Sequence, residues 1–414
     1  MHPRTLILPM TMAFTFASCG GGAEGGSHAP TSNSSQTNAT ASAPQEMLAS
    51  ASAAPQMNAA DADATSIPTA RASSTSATPL TWSVTNLGAF NDEENSVATG
   101  INNAGKIVGF AIKVGAYYHR PFIYANGIMA PMLSPVQDYS IQPALINDGD
   151  MVVGYTYEPR AQDGGGPFIY SQGTYARLGG GKEPSGLNDA GKAVGNLVSR
   201  TLNPAAPAGT NPFITRFNAY LYFNGAMTDL TAAIGALSAY DINNQGDIVG
   251  KMPDKKGYFY RNGQVQGLGA LPGDQYSLAI SINDKAEIVG VSANDESIEF
   301  SRRSDINPTS GWRAFLYQNG AMTDLNEAGG FAKSYAFMVN NRGHVLGEAW
   351  KEGHRFHYVY RDGEFINLSD LPALKTAGWT AVKFYDMNDA GKIVGEGVIG
   401  GKVRALLLTP KEGG

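Results

Sequence analysis

Cysteine is almost absent: Cys19 is the only one in 414 residues. Without a second thiol there is no disulfide framework, so a packed core has to supply the stability. Charge is sparse as well, at 16% of residues with a net charge of −6, and no basic block occurs. That composition argues against nucleic acid as a partner. After residue 20 no run approaches the ~20 apolar residues that a membrane span needs. Histidine is scarce, with His119, His344, His354 and His357 the four that follow residue 80. His354 and His357 are three apart on a predicted strand, so they point to opposite faces and do not chelate one ion together. There is no Gly-rich phosphate loop and no Ser nucleophile elbow. No cofactor and no metal ion is expected.

Glycine and tyrosine, in contrast, are abundant, at 50 and 19 residues. Many of them belong to one repeated phrase: aliphatic, Asn, Asn or Asp, a short turn, two apolar residues, Gly. The copies begin at Ile101, Ile146, Leu187, Ile242, Ile282, Val339 and Met387, spaced 40 to 57 residues apart. Such a period means a repeat architecture. Each phrase reads as strand, turn, strand. In Asn102-Asn103-Ala104-Gly105, Asn102 suits the first position of a type I turn and Gly105 suits the left-handed position that closes it. Two copies depart: Gly149 comes one residue early, and Ala286 stands where the others have Gly. Those two turns are expected to differ in detail within an unchanged hairpin.

A second phrase, aromatic-apolar-Tyr before Asn-Gly or a close variant, follows each of the first six copies. Examples are Phe122-Ile123-Tyr124 with Asn126-Gly127 and Phe315-Leu316-Tyr317 with Asn319-Gly320. Asn-Gly between apolar runs is a strong hairpin signal. A short strand such as Met227-Thr228-Asp229-Leu230 then completes a four-stranded unit, the size of one propeller blade. The seventh unit lacks a fourth strand, and one orphan strand, Trp82 to Gly88, lies upstream of the first unit. Seven whole blades result if that orphan pairs with Arg404 to Thr409. The sequence therefore predicts an all-β, seven-bladed β-propeller of four-stranded antiparallel blades over 81–411, closed by its N-terminal strand. Closure removes open edges, and a monomer is expected.

The first residues read differently. Arg4, an apolar stretch from Leu6 to Phe16 and the small pair Ala17-Ser18 form a signal peptide over 1–18. With Cys19 directly after it, the segment resembles a bacterial lipoprotein signal, although Phe16 stands where that pattern usually has Leu. The resemblance implies that Cys19 becomes the lipidated N-terminus. Residues 19–80, rich in Ala, Ser, Thr and Pro, have too few bulky side chains to offset ordering and are expected to form a disordered tether. Its r.m.s. reach would be roughly 40 to 45 Å. The expected location is that of an exported, membrane-anchored lipoprotein of the outer membrane or cell surface, or a secreted protein if Cys19 is not lipidated. The only membrane contact is then the N-terminal lipid.

Both repeated phrases, Ile-Asn-Asn-x-Gly-x-Ile-Val-Gly and a triplet ending in Phe before Leu-Tyr-x-Asn-Gly, resemble the HAF-repeat family of extracellular bacterial proteins. The likeness covers residues 82 to 410. The His-Ala-Phe triplet is not literally present; Arg120-Pro121-Phe122, Gly166-Pro167-Phe168, Asn218-Ala219-Tyr220 and Arg313-Ala314-Phe315 stand in its place. The resemblance implies export and repetition and carries no activity or catalytic residues.

Strand alternation puts the tight Asn/Gly turns on one face and the connections between second and third strands on the other. The latter vary in length, with the longest at Asn196 to Asn218 and Val291 to Trp312, so binding variation is expected there. Candidate binding residues are Tyr118, His119, Tyr157, Arg160, Phe213, Arg216, Arg302, Arg303 and Trp312. Aromatic faces with Arg forks suit a cell-surface glycan or protein partner. The bland reading is that such residues simply cover strand ends. Asp241 and Asp386 precede the motif aliphatic on the innermost strand and could face each other as a carboxylate pair for glycoside chemistry, although channel carboxylates are more commonly just hydrated. Asp92-Glu93-Glu94 reads as a solvated acidic loop, with calcium as its sharper alternative. The expected function is a lipid-tethered, non-enzymatic binding scaffold; the alternative is a secreted propeller enzyme acting on glycans, a hydrolase or lyase.

Overall fold

The motif Gly and the first aromatic of the second phrase face each other across neighbouring strands. Gly109 registers with Phe122, Gly154 with Phe168, Gly195 with Tyr220, Gly250 with Tyr258, Gly290 with Phe315 and Gly347 with Tyr358. All six rings are fully buried. They fit because nothing larger than hydrogen occupies the Gly position: a Cβ on Gly109 would meet Phe122 Cζ at 2.6 Å and Val97 O at 2.0 Å. The two repeated phrases are thus the two halves of one packing unit.

These units build a seven-bladed β-propeller, seen in a computed structural model that describes residues 80–411 apart from 92–93, 114, 117, 133–139, 158–164, 179–183, 203–212, 297, 301–307 and 309–310. Each blade is a four-stranded antiparallel sheet, and in blades 1 to 6 the strands follow chain order outward from the axis. Blade 1, for example, comprises Glu94–Ile101, His119–Ala125 and, between and beyond them, Ile107–Lys113 and Ile128–Pro131. Blade 7 contains Thr380–Met387, Ile393–Ile399 and Lys402–Lys411, and its fourth strand is the N-terminal Thr81–Gly88. That closing strand pairs antiparallel with Lys402–Lys411, Trp82 opposite Pro410 and Val84 opposite Leu408. The closure expected from the orphan strand is the one observed.

Hairpin turns follow their sequence signals. Asn126 and Gly127 both have positive φ, 51° and 82°, as a type I′ turn requires. At the two departing motif turns the geometry is nevertheless that of the rest. Asp150 (φ 61°) and Ala286 (φ 60°) occupy the left-handed position, and their N–H groups close on Asn147 O and Asn283 O at 3.1 and 3.0 Å. The expected difference in detail is therefore a change of residue without a change of turn. Two fourth strands run on into short helices where the sequence predicts only strand ends. Asp229 and Asp324 cap Leu230–Ile234 and Leu325–Gly329 by accepting N–H bonds in the first turn.

Blade 6 contains a buried ionic cluster. Glu348 accepts from the hydroxyl of Tyr335 at 2.8 Å and from Arg355 at 2.6 Å, and lies 2.8 Å from His357 Nε2. Burial alone would raise the Glu348 carboxyl, but His357, Arg355 and Tyr335 outweigh it and hold the group at about 2. A carboxyl whose folded value lies below its ordinary 4.5 stabilises the fold above that pH and loses the contribution as pH falls toward 2. Glu348→Gln is expected to lower the melting temperature near neutral pH and to flatten the acid limb of the stability profile. Parallel acid limbs in wild type and variant, measured by thermal melts from pH 6 to 2, would contradict this.

Candidate functional site

The motif turns converge on one mouth of the central channel. The first Asn of each copy is buried, and its two side-chain atoms do two jobs. In blade 1, Asn102 Oδ1 accepts the N–H of Lys106 at 2.9 Å and fastens its own turn. Its Nδ2 donates to Asn147 O of blade 2 at 3.1 Å. The second job repeats around the molecule: Asn147 to Asn188, Asn188 to Asn243, Asn243 to Asn283, Asn283 to Asn340, Asn340 to Asn388, and Asn388 back to Asn102, all at 2.8 to 3.1 Å. The result is a closed ring of hydrogen bonds joining all seven blades.

A second ring lies beside the first. The backbone N–H of the next residue donates to the Oδ1 of its counterpart in the following blade: Asn103 to Asp148, then Asp189, Asn244, Asp284, Asn341, Asp389 and back to Asn103, at 2.7 to 2.9 Å. The three Asn of this set also span their Asp neighbours. Asn244 Nδ2, for instance, donates to Asp189 at 2.8 Å and Asp284 at 3.1 Å. Only Asp148 and Asp189 are adjacent without an Asn between them, as an odd number of blades forces one like pair in an otherwise alternating ring. Such a circuit polarises each bond through its neighbours. The preference for Asn or Asp at this position is one for a side-chain acceptor.

These turns line a cavity of about 170 Å³, together with Asp241 and Asp386. Both carboxylates serve the architecture. The innermost strand of every blade carries a register shift just before the motif, between Ala239 and Asp241 in blade 4 and between Phe384 and Asp386 in blade 7. A bulge of this kind takes the following N–H out of the ladder. Asp386 Oδ2 accepts the N–H of Ile101 in blade 1 at 2.9 Å. Asp241 Oδ2 accepts the N–H of Ile282 at 3.1 Å and the hydroxyl of Ser281 at 2.8 Å. Where the sequence suggested hydrated or catalytic carboxylates, the structure has inter-blade acceptors. Ser281 and Met338 do the same for Val339 and Met387, a role the sequence reading missed.

The opposite face carries the connections between second and third strands. Tyr118 and Tyr157 are exposed there, at 40% and 49%. His119 is half-buried, with Nδ1 2.5 Å from Ser140 Oγ. Phe213 and Arg216 lie on the third strand of blade 3, Phe213–Phe223, opposite Leu202 and Ser199. Much of the long blade-3 insertion is thus an extended hairpin. Trp312 is at 6% exposure, edge-on to Tyr335 with centroids 6.3 Å apart, so it belongs to the core and presents no surface to a ligand. Arg160, Arg302, Arg303 and Cys19 lie outside the described residues. Glu94 is not the solvated residue expected: it is 4% exposed and pairs with Arg120 at 2.6 Å. Among the described residues no three His, Cys, Asp or Glu side chains are grouped to hold a metal ion.

No protein-family model and no curated protein sequence matches the chain. Solved propellers match its shape. The β-propeller domain of the Trilobed protease from Pyrococcus furiosus is 9% identical, with a TM-score of 0.47 over 77% of this chain and 97% of that one. An oligogalacturonate lyase solved in complex with manganese is 12% identical, with a TM-score of 0.49 over 81% and 97%. TolB from Acinetobacter baumannii is 13% identical, with a TM-score of 0.34 over 75% and 80%. At these identities the likeness concerns the fold alone.

Proposed function

We propose that this chain is a lipid-tethered, extracytoplasmic binding scaffold, holding a cell-surface glycan or protein on the face of the second-to-third strand insertions. The observation that carries the reading is the division of labour between the two faces. On the motif face, the polar side chains around the axis are engaged in holding blades together. On the insertion face, Tyr118 and Tyr157 stand exposed. The direction of the closing strand agrees: Thr81 pairs with Lys411, at the end of the third strand that adjoins the motif turns. The closing strand therefore begins at the motif face. Cys19 is the anchor in this proposal.

Two measurements test it in cells. Fatty-acid probe labelling should mark the wild type and not Cys19→Ser; equal labelling would remove the anchor. Alanine at Tyr118, Tyr157, Phe213, Arg216, Arg302 and Arg303 together should abolish retention on a cell-surface fraction with little change in melting temperature. Binding as in the wild type would remove the insertion face from the account.

A further inference from the structure

The seam between blades 1 and 2 brings two of the predicted residues, His119 and Tyr157, together on the insertion face. His119 opens the third strand of blade 1, and Ser140 opens the first strand of blade 2, Ser140–Ile146. Gln142 Nε2 lies 3.1 Å from His119 Nδ1, and Ser140 Oγ lies 2.5 Å from the same nitrogen. Ser140 and Gln142 register with Tyr157 and Tyr155 on the neighbouring strand. Cross-strand partners share one face of a sheet, so both tyrosines stand on the face of blade 2 that is turned toward His119. Tyr118 directly precedes His119. Of the four exposed large apolar or aromatic residues among the described ones, Tyr118 and Tyr157 are two: Tyr157 stands on this face of blade 2, and Tyr118 adjoins His119 in the chain.

The Ser140–His119 contact is not a nucleophile and its base. Ser140 is buried at 1% exposure, and its hydroxyl also accepts the backbone N–H of His119 at 3.3 Å. Bonds of the same kind, at other register positions, join other blades, from Ala405 to Ser96, Gly257 to Ser277 and Ala314 to Ser334. What this seam adds to such a bond is an imidazole, an amide and exposed phenol rings.

We infer that the seam binds a neutral sugar residue, with Tyr118 and Tyr157 giving ring faces and His119 and Gln142 hydrogen-bonding its hydroxyls. The inference rests on the binding-face reading above and narrows it to one ligand class. A pyranose presents an apolar C–H face beside hydroxyls that both donate and accept. Tyrosine offers a rigid amphipathic surface for the first, and imidazole and carboxamide each combine donor and acceptor for the second. The floor of the seam, formed by Ser140, Gln142 and His119, contains no acidic or basic fork. Arg120 is next along the same strand and so points to its other face, where it pairs with Glu94 at 2.6 Å. Its charge is matched there, which disfavours an anionic chain at the seam. A protein partner would call for a larger contiguous apolar surface than two phenol rings beside a polar floor.

The test uses the full chain and a Tyr118→Ala/Tyr157→Ala double variant on an immobilised panel of neutral and uronic-acid-containing oligosaccharides. Wild type should bind neutral members, and the variant should bind them about tenfold more weakly or worse, with its melting temperature unchanged. Binding confined to uronic-acid-containing members overturns the inference, as does no sugar binding at all, or neutral binding equal in both proteins. Capture of the wild type by a surface fraction stripped of glycan, lost on alanine substitution in the insertions, overturns the sugar and leaves the binding face standing. Loss of binding only on changes at the motif turns overturns both.

Discussion

Alanine at Gly290 is expected to destabilise the propeller by about 4 kcal/mol or more, a large share of the ~5–15 kcal/mol that a fold has in net stability. The added methyl would sit 1.9 Å from the carbonyl oxygen of Leu278 and 2.9 Å from Phe315 Cζ. Neither neighbour can move away. The carbonyl belongs to the innermost strand of blade 5, Tyr276–Ile282, and the ring is fully buried in a cluster with Val249 of blade 4. Gly320→Ala is the control. Gly320 has φ 82° with open space around its Cβ position, so alanine there costs about 1–2 kcal/mol through backbone strain alone. Chemical denaturation of the two variants separates the effects. Equal losses would mean that the Gly–aromatic unit is not the element that sets blade packing.

Removing residues 81–88 is expected to have the other large effect. The closing strand contributes the outer edge of blade 7, buries Leu87 and packs Trp82 and Val84 against the apolar cluster running from blade 4 to blade 7. Without it Lys402–Lys411 becomes an open edge ready to pair with other chains. A fold with ~5–15 kcal/mol of net stability does not absorb the loss of a whole strand. The truncated chain should aggregate or lose cooperative melting, and a synthetic peptide spanning 80–90 added during refolding should restore part of the transition. The two hydrogen-bonded rings at the motif face give the opposite outcome a definite meaning. If the truncated protein melts as sharply as the full chain, the contacts between blades 7 and 1, the Asn and Asp rings among them, close the propeller without the strand.

Gly109 and Phe122 could be read as a hairpin and a strand from sequence, since turn chemistry is local and the repeat multiplies its signal. Their mutual contact was hidden because it depends on register across strands. Asn102 shows the same division. Its role in its own turn follows from the Asn-x-x-Gly spacing, whereas its bond to Asn147 needs the angle between blades. Asp241 and Asp386 were visible as inner-strand carboxylates, but the bulges that hand them the N–H groups of the next blade carry no composition cue. Trp312 looked like an anchor because tryptophan at the end of an insertion favours interfaces; the structure turns it inward against Tyr335. Tyr118 and Tyr157 stayed on the surface, as exposed aromatics at strand ends would, and the seam they flank became visible only through the pairing of Ser140 with Tyr157.

The division of labour between the two faces is tested most directly by one side-by-side binding isotherm on an isolated cell-surface fraction. Three proteins are compared: the full chain, the insertion-face variant with alanine at Tyr118, Tyr157, Phe213 and Arg216, and the motif-face variant Asp148→Asn/Asp189→Asn. The last change preserves a side-chain acceptor at each position while removing both charges of the one like pair in the ring. The account predicts that the motif-face variant binds as the wild type does and that the insertion-face variant loses binding with its melting temperature unchanged. Normal binding by the insertion-face variant, with binding lost in the Asp148→Asn/Asp189→Asn protein, would contradict it and make the channel mouth the site.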